Sequence, residues 1–297
     1  MEPIRFDDKL AADCLWKRTG DCNKGSFGYI ALIGGCIRYS GAIRLANMAG
    51  CAMRSGAGVV KLAAPKSLSH VILPNILEST FYPLTDDGDG NYIYDEAVLD
   101  ELTQSVSVVA IGMGIGNSIH TQKAVEHLIS KYDGVLIIDA DGLNALSELN
   151  YSCMEKSNAK IIITPHPGEF SRLCKLPIEK ITANRISLAE QFSQSHGIIT
   201  LLKGSETVIT DGTTTYLSDT GCAGMATAGS GDVLSGVLAA LCAYNKNQLL
   251  KATAAASYIT GLAGELAEAK TGAISMIASD TASHIAEAVK LVSDRFN

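Results

Sequence analysis

The sequence predicts an α/β protein in which a mostly parallel sheet lies between two layers of helices. Short runs rich in Val and Ile alternate with longer helical patterns, and turns rich in Gly or Pro follow the runs. The runs are continuously apolar, which is typical of strands covered on both faces. Because no Pro/Ser-rich linker or internal repeat divides the 297 residues, we expect a single domain over residues 1–297.

Six apolar runs predict the parallel strands of this sheet. They span residues 29–34, 58–64, 106–112, 134–139, 159–164 and 198–203. Residues 207–217 predict a hairpin, because an Asp-Gly pair lies between two short β-prone segments. The polar residues 84–92 predict a surface loop.

Helical periodicity separates these runs and then dominates the C-terminal part of the chain. The pattern over residues 41–56 places four side chains on one face, those of Leu45, Ala46, Ala49 and Met53. The other predicted helices span 121–132, 183–197 with Gly197 at its C-cap, 229–243, 247–269 and 279–293.

Composition excludes several classes of function. A net charge of −7 without a Lys/Arg run argues against binding to nucleic acid or to an anionic membrane. The eight cysteines form no Cys-x-x-Cys pair and no zinc-ligand spacing. Neither a signal peptide nor an apolar run long enough to cross a membrane is present. We therefore expect a cytoplasmic protein with reduced thiols.

The segment "GCAGMATAGSGDVLSGVLAAL" (221–241) predicts a glycine-rich turn that leads into a helix. Backbone N–H groups at such a helix start favour a phosphate or a developing anion. Asp232 then has two interpretations, a helix cap or a base that deprotonates an attacking hydroxyl. Capping is more common for an isolated Gly-x-Gly-Asp. Here Gly221, Gly224 and Gly229 favour the ligand site, because a cap does not require them.

The segment "IIITPHPGEFSRL" (161–173) places His166 between two prolines just after a predicted strand. The prolines restrict the backbone on both sides. Open α/β sheets bind ligands at the carboxyl ends of their strands, so His166 is a candidate ligand contact as well as a possible surface residue. Glu169 is either an acid in the first turn of a helix or a functional carboxylate.

Two further strand ends carry polar side chains. Lys203, followed by Gly204, is either a solvated charge or a contact to phosphate oxygens. In "IIDADGLNAL" (137–146), Asp139, Asp141 and Asn144 either cap a helix, polarise a ligand group or help to hold Mg²⁺.

Glycine-rich turns complete the set. "GMGIGNS" (112–118) lacks the third glycine of the dinucleotide fingerprint. Its glycines indicate either a tight turn from strand to helix or a segment that borders a ligand site. Gly34 and Gly35 follow the first predicted strand, where they would allow close approach to a ligand, and Ala42 begins the next helix. Five such turns are expected on one rim of the sheet, as in the active sites of this architecture.

The combined motifs resemble the ADP/ATP-dependent NAD(P)H-hydrate dehydratases, a branch of the ribokinase-like superfamily, over roughly residues 10–293. The matching segments are "KGSFGYIALIGG", "YSGAIRLA", "GMGIG", "DADGLN", "TPHPGEFSRL", "KGSETVI" and "GMATAGSGDVLSG". The family usually has proline at Met113, alanine at Gly142, asparagine-proline at Cys222 and Ala223, and glycine at Ala228.

This resemblance implies a ribokinase-like three-layer α/β/α sandwich and an ADP- or ATP-dependent lyase that repairs hydrated nicotinamide cofactors. The enzyme would phosphorylate the C6 hydroxyl of NADHX or NADPHX, and loss of phosphate would regenerate NADH or NADPH. Mg²⁺ is the implied cofactor, and no side chain is assigned as its ligand. Asp232 matches the catalytic base.

The resemblance also implies the binding residues. The hydrated cofactor would contact Ala42, Gly114, His166 and Asp232. The nucleotide would contact Lys203, Gly204, Ser205, Glu206, Thr207, Gly229, Ser230 and Gly231. The epimerase domain that the family often carries has no room before residue 29, so we expect a separate epimerase acting on the same substrate pool. We also expect a homo-oligomer.

Two other functions fit the same residues. A ribokinase-like kinase for a small alcohol or a vitamin precursor would use the same fold and the same Gly-x-Gly-Asp. It would release a stable phosphorylated alcohol, whereas a dehydratase releases inorganic phosphate. A nucleotide-binding module without turnover is the third hypothesis, against which the intact Asp232 argues.

Overall fold

The computed structural model describes residues 2–16, 20–48, 52–149 and 151–296, and one ten-stranded sheet runs through this part of the chain. Its strands are β1 (Ile4–Arg5), β2 (Tyr29–Gly34), β3 (Val59–Pro65), β4 (Thr80–Leu84), β5 (Val108–Met113), β6 (Val135–Ile138), β7 (Lys160–Ile163), β8 (Ile199–Leu202), β9 (Thr207–Thr210) and β10 (Thr215–Ser218). Their order across the sheet is β1-β10-β9-β8-β7-β6-β5-β2-β3-β4.

The sheet is mostly parallel, as the sequence predicts. All pairings from β8 across to β4 are parallel, and β1 pairs parallel with β10. The pairings β8–β9 and β9–β10 are antiparallel. The predicted hairpin is therefore confirmed, and its turn is closed by Asp211, whose carboxylate accepts the N–H groups of Thr213 and Thr214.

Helices cover both faces of the sheet. They are α1 (Asp8–Ala12), α2 (Ser40–Asn47), α3 (Ser69–Ile72), α4 (Glu96–Thr103), α5 (Ile119–Lys131), α6 (Ala140–Glu148), α7 (Ser152–Glu155), α8 (Pro167–Cys174), α9 (Ile178–Ala183), α10 (Arg185–His196), α11 (Ser230–Tyr244), α12 (Leu249–Thr271) and α13 (Ala278–Asp294). No helix of the described ranges is both long enough and apolar enough to cross a bilayer.

Two apolar clusters hold the three layers together. Successive residues of a strand point to opposite faces, so Leu32 packs into one cluster and Ile33 into the other. The first cluster contains the apolar faces of α2, α11, α12 and α13, and the second those of α4, α5, α6, α8 and α10. The expected three-layer α/β/α sandwich is confirmed.

The prediction of one helix over residues 41–56 is wrong. Helix α2 ends at Asn47, and Met48 has the extended ψ of 132°. A helix continuing to residue 56 would leave two residues to return the chain to β3 at Val59. Leu45 and Ala46 lie on α2 as predicted and Met53 lies in a turn, while Ala49 lies outside the described residues.

Candidate active site

The five turns singled out in the sequence lie on one rim of the sheet. They follow β2, β5, β6, β7 and β8, which are neighbouring parallel strands and therefore end at the same edge. The chain moves outward in one direction from β2 to β4 and in the other from β5 to β8. The point of reversal, between β2 and β5, is where open α/β sheets form a ligand crevice.

Gly114 and Ala42 meet at this point of reversal. Gly114 has φ +66°, and a Cβ atom placed on it would lie 2.8 Å from the Cβ atom of Ala42 and 2.7 Å from that of Tyr39. Only glycine fits such a close approach in the left-handed region. Two of the four residues that the resemblance assigns to the hydrated cofactor, Gly114 and Ala42, are thus direct neighbours in space.

Gly34 and Gly35 serve packing within the protein. A Cβ atom on Gly34 would lie within 3.0 Å of the Met113 carbonyl oxygen, and one on Gly35 would lie 2.8 Å from Cγ2 of Ile43. The close approach predicted for these glycines is therefore made to β5 and α2. The structure gives no support to their predicted contact with a ligand.

A buried ion pair lies at the centre of the rim. Asp139, with 1% of its surface exposed, accepts hydrogen bonds from Lys203 Nζ at 3.0 Å and from Ser235 Oγ at 2.8 Å. Lys203 Nζ also lies 3.9 Å from Oε2 of Glu169. Burial alone would lower the pKa of Lys203, but the carboxylates of Asp139 and Glu169 outweigh burial and raise it. The lysine therefore carries its positive charge at the rim.

Asp232 is the third residue of α11, and it does not cap that helix. Gly229 occupies the N-cap, and no side chain caps the helix start. Burial, together with the negative charges of Asp139 and Asp141, raises the pKa of Asp232 to about 7, and Lys203 opposes this rise. A carboxylate with a pKa near neutrality can accept a proton during turnover. The catalytic role of Asp232 stays a prediction.

The glycine-rich turn before α11 is fixed by its own contacts. Gly229 has φ +95°, and a Cβ atom on it would come within 3.0 Å of Cδ1 of Leu45. The Ser230 hydroxyl donates to the Met225 carbonyl at 2.8 Å, and the Ser230 N–H makes a long 3.5 Å contact with the Thr227 carbonyl. Lys203 Nζ lies 3.4 Å from the position that a Cβ atom on Gly231 would take. The ammonium group thus adjoins the predicted anion site.

His166 and Glu169 form a reciprocal capping box at the start of α8. Nδ1 of His166 accepts the N–H groups of Gly168 and Glu169 at 3.0 and 3.3 Å, and Oε2 of Glu169 accepts the N–H of His166 at 2.8 Å. The His166 side chain remains 53% exposed. Both side chains therefore stabilise the start of α8, and the His166 imidazole is still exposed at the rim.

The segment from the end of β8 to the start of β9 contains five of the eight predicted nucleotide contacts. Gly204 and Ser205 are exposed, whereas Thr207 is buried and its hydroxyl donates to the Gly204 carbonyl at 3.3 Å. The Glu206 side chain lies 3.6 Å from Nη2 of Arg5. Lys203 to Glu206 thus form one short turn at the carboxyl end of β8, and Thr207 begins β9.

Comparison with known proteins identifies the family. The family model described as NAD(P)H-hydrate dehydratase matches residues 30–287. The ADP-dependent (S)-NAD(P)H-hydrate dehydratase of Nitrosopumilus maritimus is 33% identical over 261 residues, which cover 86% of each chain. This chain belongs to the NAD(P)H-hydrate dehydratase family.

Longer relatives and solved structures agree with this assignment. The bifunctional NAD(P)H-hydrate repair enzyme Nnr of Hyperthermus butylicus is 37% identical over 92% of this chain, and the chain spans only 50% of that enzyme's length. The ADP/ATP-dependent NAD(P)H-hydrate dehydratase of Bacillus subtilis, co-crystallised with ATP/Mg²⁺, has a TM-score of 0.82 at 26% identity, with 100% of both chains covered. Hydroxyethylthiazole kinase of Pyrococcus horikoshii, at 13% identity and a TM-score of 0.60, shares the fold.

The side chains that the sequence offers as metal ligands already have protein partners. Asp141 accepts the N–H of Gly116 at 2.8 Å, Asn144 accepts from Nε of Arg172 at 3.1 Å, and Asp139 is occupied by Lys203. Within the described ranges, no three His, Cys, Asp or Glu side chains group as a metal site. The arrangement does not fit a metal ion held by protein ligands alone.

Two residues that contact this rim were not predicted from the sequence, Ser235 and Arg185. Ser235 lies three residues after Asp232 on α11, and that helical spacing is the signal that would have found it. Arg185, on α10, donates to backbone carbonyls at the end of β8 and in the loop between β8 and β9. No local motif identifies Arg185, because its contacts lie far along the chain.

Proposed function

We propose that this protein dehydrates NADHX and NADPHX to NADH and NADPH at the expense of a nucleoside di- or triphosphate. The observation that carries the proposal is a carboxylate of near-neutral pKa, Asp232, at the start of α11 on the same rim as the close contact between Gly114 and Ala42. Membership of the dehydratase family supports the choice of reaction. The same reaction makes the protein a lyase that acts in metabolite repair.

The proposed first step is phosphoryl transfer. Asp232 accepts the proton of the C6 hydroxyl, and the hydroxyl oxygen attacks the terminal phosphorus of the nucleotide. The bond from that phosphorus to the bridging oxygen breaks, and ADP leaves if ATP is the donor, or AMP if ADP is. Lys203 and the N–H of Gly231 would face the charge that develops on the transferred group.

The proposed second step is loss of phosphate from C6. The ring nitrogen donates its electron pair as the carbon–oxygen bond breaks, and a proton then leaves C5 to restore the ring double bond. Phosphate is a far better leaving group than hydroxide, so nucleotide cleavage drives the dehydration. The balance is one hydrated cofactor and one nucleotide converted to reduced cofactor, shortened nucleotide and inorganic phosphate.

Mg²⁺ is proposed as a companion of the nucleotide. The Bacillus subtilis relative was co-crystallised with ATP/Mg²⁺, which supports this proposal. Mg²⁺ in nucleotide enzymes is usually held by phosphate oxygens, water and one or two carboxylates, so a dedicated protein cage is not needed. We assign no step to the ion.

The remaining parts of the proposal concern the setting of the enzyme. Bifunctional relatives are named as repair enzymes and are about twice as long as this chain, which spans 50% of their length. We propose that a separate epimerase serves the same substrate pool, that the protein is cytoplasmic and that it forms a homo-oligomer.

The test is a reconstituted reaction. The protein is mixed with NADHX or NADPHX, Mg²⁺ and either ADP or ATP, and the absorbance of the reduced nicotinamide and the inorganic phosphate are followed together. The proposal expects both products in equal amounts. A stable phosphorylated alcohol without reduced nicotinamide would point to the small-alcohol kinase, and nucleotide binding without either product would point to the binding module.

A further inference from the structure

Arg185 makes an unusual set of contacts for the first residue of a helix. Its Nη2 donates to the carbonyl oxygens of Leu202 at 3.0 Å and Glu206 at 2.8 Å, and its Nη1 donates to that of Lys203 at 3.3 Å. These carbonyls belong to the last residue of β8 and to the turn that joins β8 to β9. One guanidinium group therefore joins both ends of the segment predicted to contact the nucleotide.

The position of Arg185 is not explained by the stability of α10. A cation at a helix N-terminus faces the positive end of the helix dipole, which is unfavourable. Burial lowers the pKa of Arg185, so part of the hydration of its charge has been lost, while the Glu206 carboxylate opposes that shift. The three carbonyls offset these costs. What the arginine stabilises is the turn.

The hydrogen bonds of Arg185 fix the direction of the loop amides. The peptide groups of the described residues are all trans and planar, so a carbonyl and the following N–H point to opposite sides. The Leu202 carbonyl faces Arg185, and the Lys203 N–H on the other side donates to the Pro165 carbonyl at 2.9 Å. By the same geometry, the Lys203 carbonyl faces Arg185 and the Gly204 N–H points away from it.

The Gly204 N–H is available to a ligand. Gly204 is exposed, and its N–H has no hydrogen-bond partner among residues 2–16, 20–48, 52–149 and 151–296. An exposed N–H that follows the positively charged Lys203 in the chain is a donor suited to a phosphate oxygen. We propose that Arg185 is a positioning residue for nucleotide binding, which holds the Lys203–Thr207 turn so that the Gly204 N–H faces a nucleotide phosphate. The inference rests on the proposed function for the identity of the ligand.

Gly204 provides a second way to disturb the same contact. A Cβ atom on Gly204 would lie within 3.0 Å of the Arg185 guanidinium. Because that group is the end of a flexible side chain, Gly204→Ala would displace the guanidinium and leave the fold intact. Substitution of Arg185 and substitution of Gly204 would therefore disturb the same contact between the guanidinium and the turn.

The experiment measures binding of ADP and of ATP, each with Mg²⁺, by equilibrium titration of the full chain. We expect Arg185→Gln to weaken binding about tenfold, which corresponds to about 1.4 kcal/mol. Arg185→Lys, which keeps the charge but loses the planar fork, should weaken binding less. The control is Arg295→Gln, since Arg295 is an exposed arginine paired with Asp8, and it should bind as the wild type does.

A double-mutant cycle separates positioning from general destabilisation. Arg185→Gln combined with Gly204→Ala should bind nucleotide about as weakly as the weaker single variant, because both remove the same contact. In the complete reaction, KM for the nucleotide should rise while KM for the hydrated cofactor stays within about twofold. A purely structural role would lower the melting temperature and the active fraction and leave both KM values unchanged.

Unchanged nucleotide affinity in folded Arg185→Gln would overturn the inference, as would a wild-type protein that binds neither nucleotide. If Arg185→Gln does not fold, Arg185→Lys and Gly204→Ala carry the same comparison. Failure of the proposed reaction is distinguishable, because the titration contains no hydrated cofactor. Arg185-dependent nucleotide binding without dehydration would refute the reaction and retain the inference.

Discussion

Burial disfavours the negative charge of Asp232, and its charged neighbours shift its pKa in opposite directions. Asp139 and Asp141 raise its pKa, whereas Lys203 lowers it. Lys203 and Asp139 form an ion pair, so each partly cancels the effect of the other's charge on the pKa of Asp232. The result is a carboxyl group that changes protonation near pH 7, where a general base is most useful.

Replacement of this carboxylate should remove turnover and preserve binding. We expect Asp232→Asn to lower kcat by about 10²–10⁴-fold, the usual contribution of a general base, with nucleotide affinity changed little. Asp211→Asn in the β9–β10 turn is the matched control and should keep normal kcat. Equal kcat in wild type and Asp232→Asn, measured by phosphate release, would remove Asp232 from the catalytic role.

The pH profile should report the same group. Because the base must be deprotonated, kcat/KM should rise with pH through about 7. Asp139→Asn removes a negative charge near Asp232 and releases Lys203 from its partner, and both changes should shift this rise to lower pH. The measurement is the pH dependence of kcat/KM in the two proteins, and a rise that stays in place would show that Asp139 does not set this pKa.

Stability should depend on Asp232 with a defined sign. The pKa of Asp232 is raised from 3.8 to about 7 on folding, so the folded protein binds more protons between these values. The free energy of unfolding therefore falls as pH rises through this window. Above pH 7, Asp232→Asn should be more stable than wild type by about 1–2 kcal/mol. Urea unfolding of both proteins at several pH values checks the prediction, and a wild type that is the more stable above pH 7 would contradict it.

At the scale of elements, the sequence predicted what depends on local pattern and missed what depends on tertiary context. The apolar run 29–34 became β2 with the same bounds, because burial on both faces leaves a continuous signal. β4 was missed because it is an edge strand and tolerates Pro83, which a central strand would not. Helix α2 was predicted too long because its end is set by the return to β3.

The same distinction applies to the candidate site. His166 and Lys203 directly follow strands, and Asp232 lies in the first turn of a helix, all with clear local signals, and so the three were found from the sequence. The partner of Asp139 and the contacts of Arg185 join segments distant in the chain, so only the fold reveals them. The capping box of His166 with Glu169 has an ordinary local spacing. The sequence suggested Glu169 as an acid in the first turn of the helix, but His166 was not predicted as the cap.

The turn into α11 depends on glycine at position 229. Alanine there would combine the left-handed φ of +95° with a clash against Leu45, so Gly229→Ala should destabilise the protein by about 1–3 kcal/mol and reduce activity. Gly41→Ala on α2 is the control, since a Cβ atom there meets nothing within 4 Å, and it should be neutral or slightly stabilising. Thermal unfolding of the two variants tests this, and equal melting temperatures would argue against a constrained turn.

For the whole molecule, the sheet order decides where function lies. The reversal between β2 and β5 places the Gly114–Ala42 contact and the Asp139–Lys203 pair at the carboxyl ends of the parallel strands, although the segments span much of the chain. The opposite edge of the sheet carries the amino ends of the parallel strands. Ligands are therefore expected to affect one edge only.

Hydrogen exchange should show this asymmetry. A nucleotide at about 100 times its Kd adds about 2.7 kcal/mol to the stability of the folded state, and slower local exchange is expected where the ligand makes contact. We expect a non-hydrolysable nucleotide to slow amide exchange at residues 203–207 and 229–232. Exchange should change less at residues 105–107 and 133–134, which precede the amino ends of β5 and β6. Greater protection at the amino edge would place the nucleotide elsewhere.

The most direct test of the account follows the oxygen atom of the C6 hydroxyl. NADHX is prepared with heavy oxygen in that hydroxyl and converted in ordinary water with the preferred nucleotide, and the released phosphate is examined by mass spectrometry. The account predicts that the phosphate carries the heavy oxygen, because that oxygen attacks phosphorus and leaves with it. Unlabelled phosphate, with the heavy oxygen released as water, would contradict it.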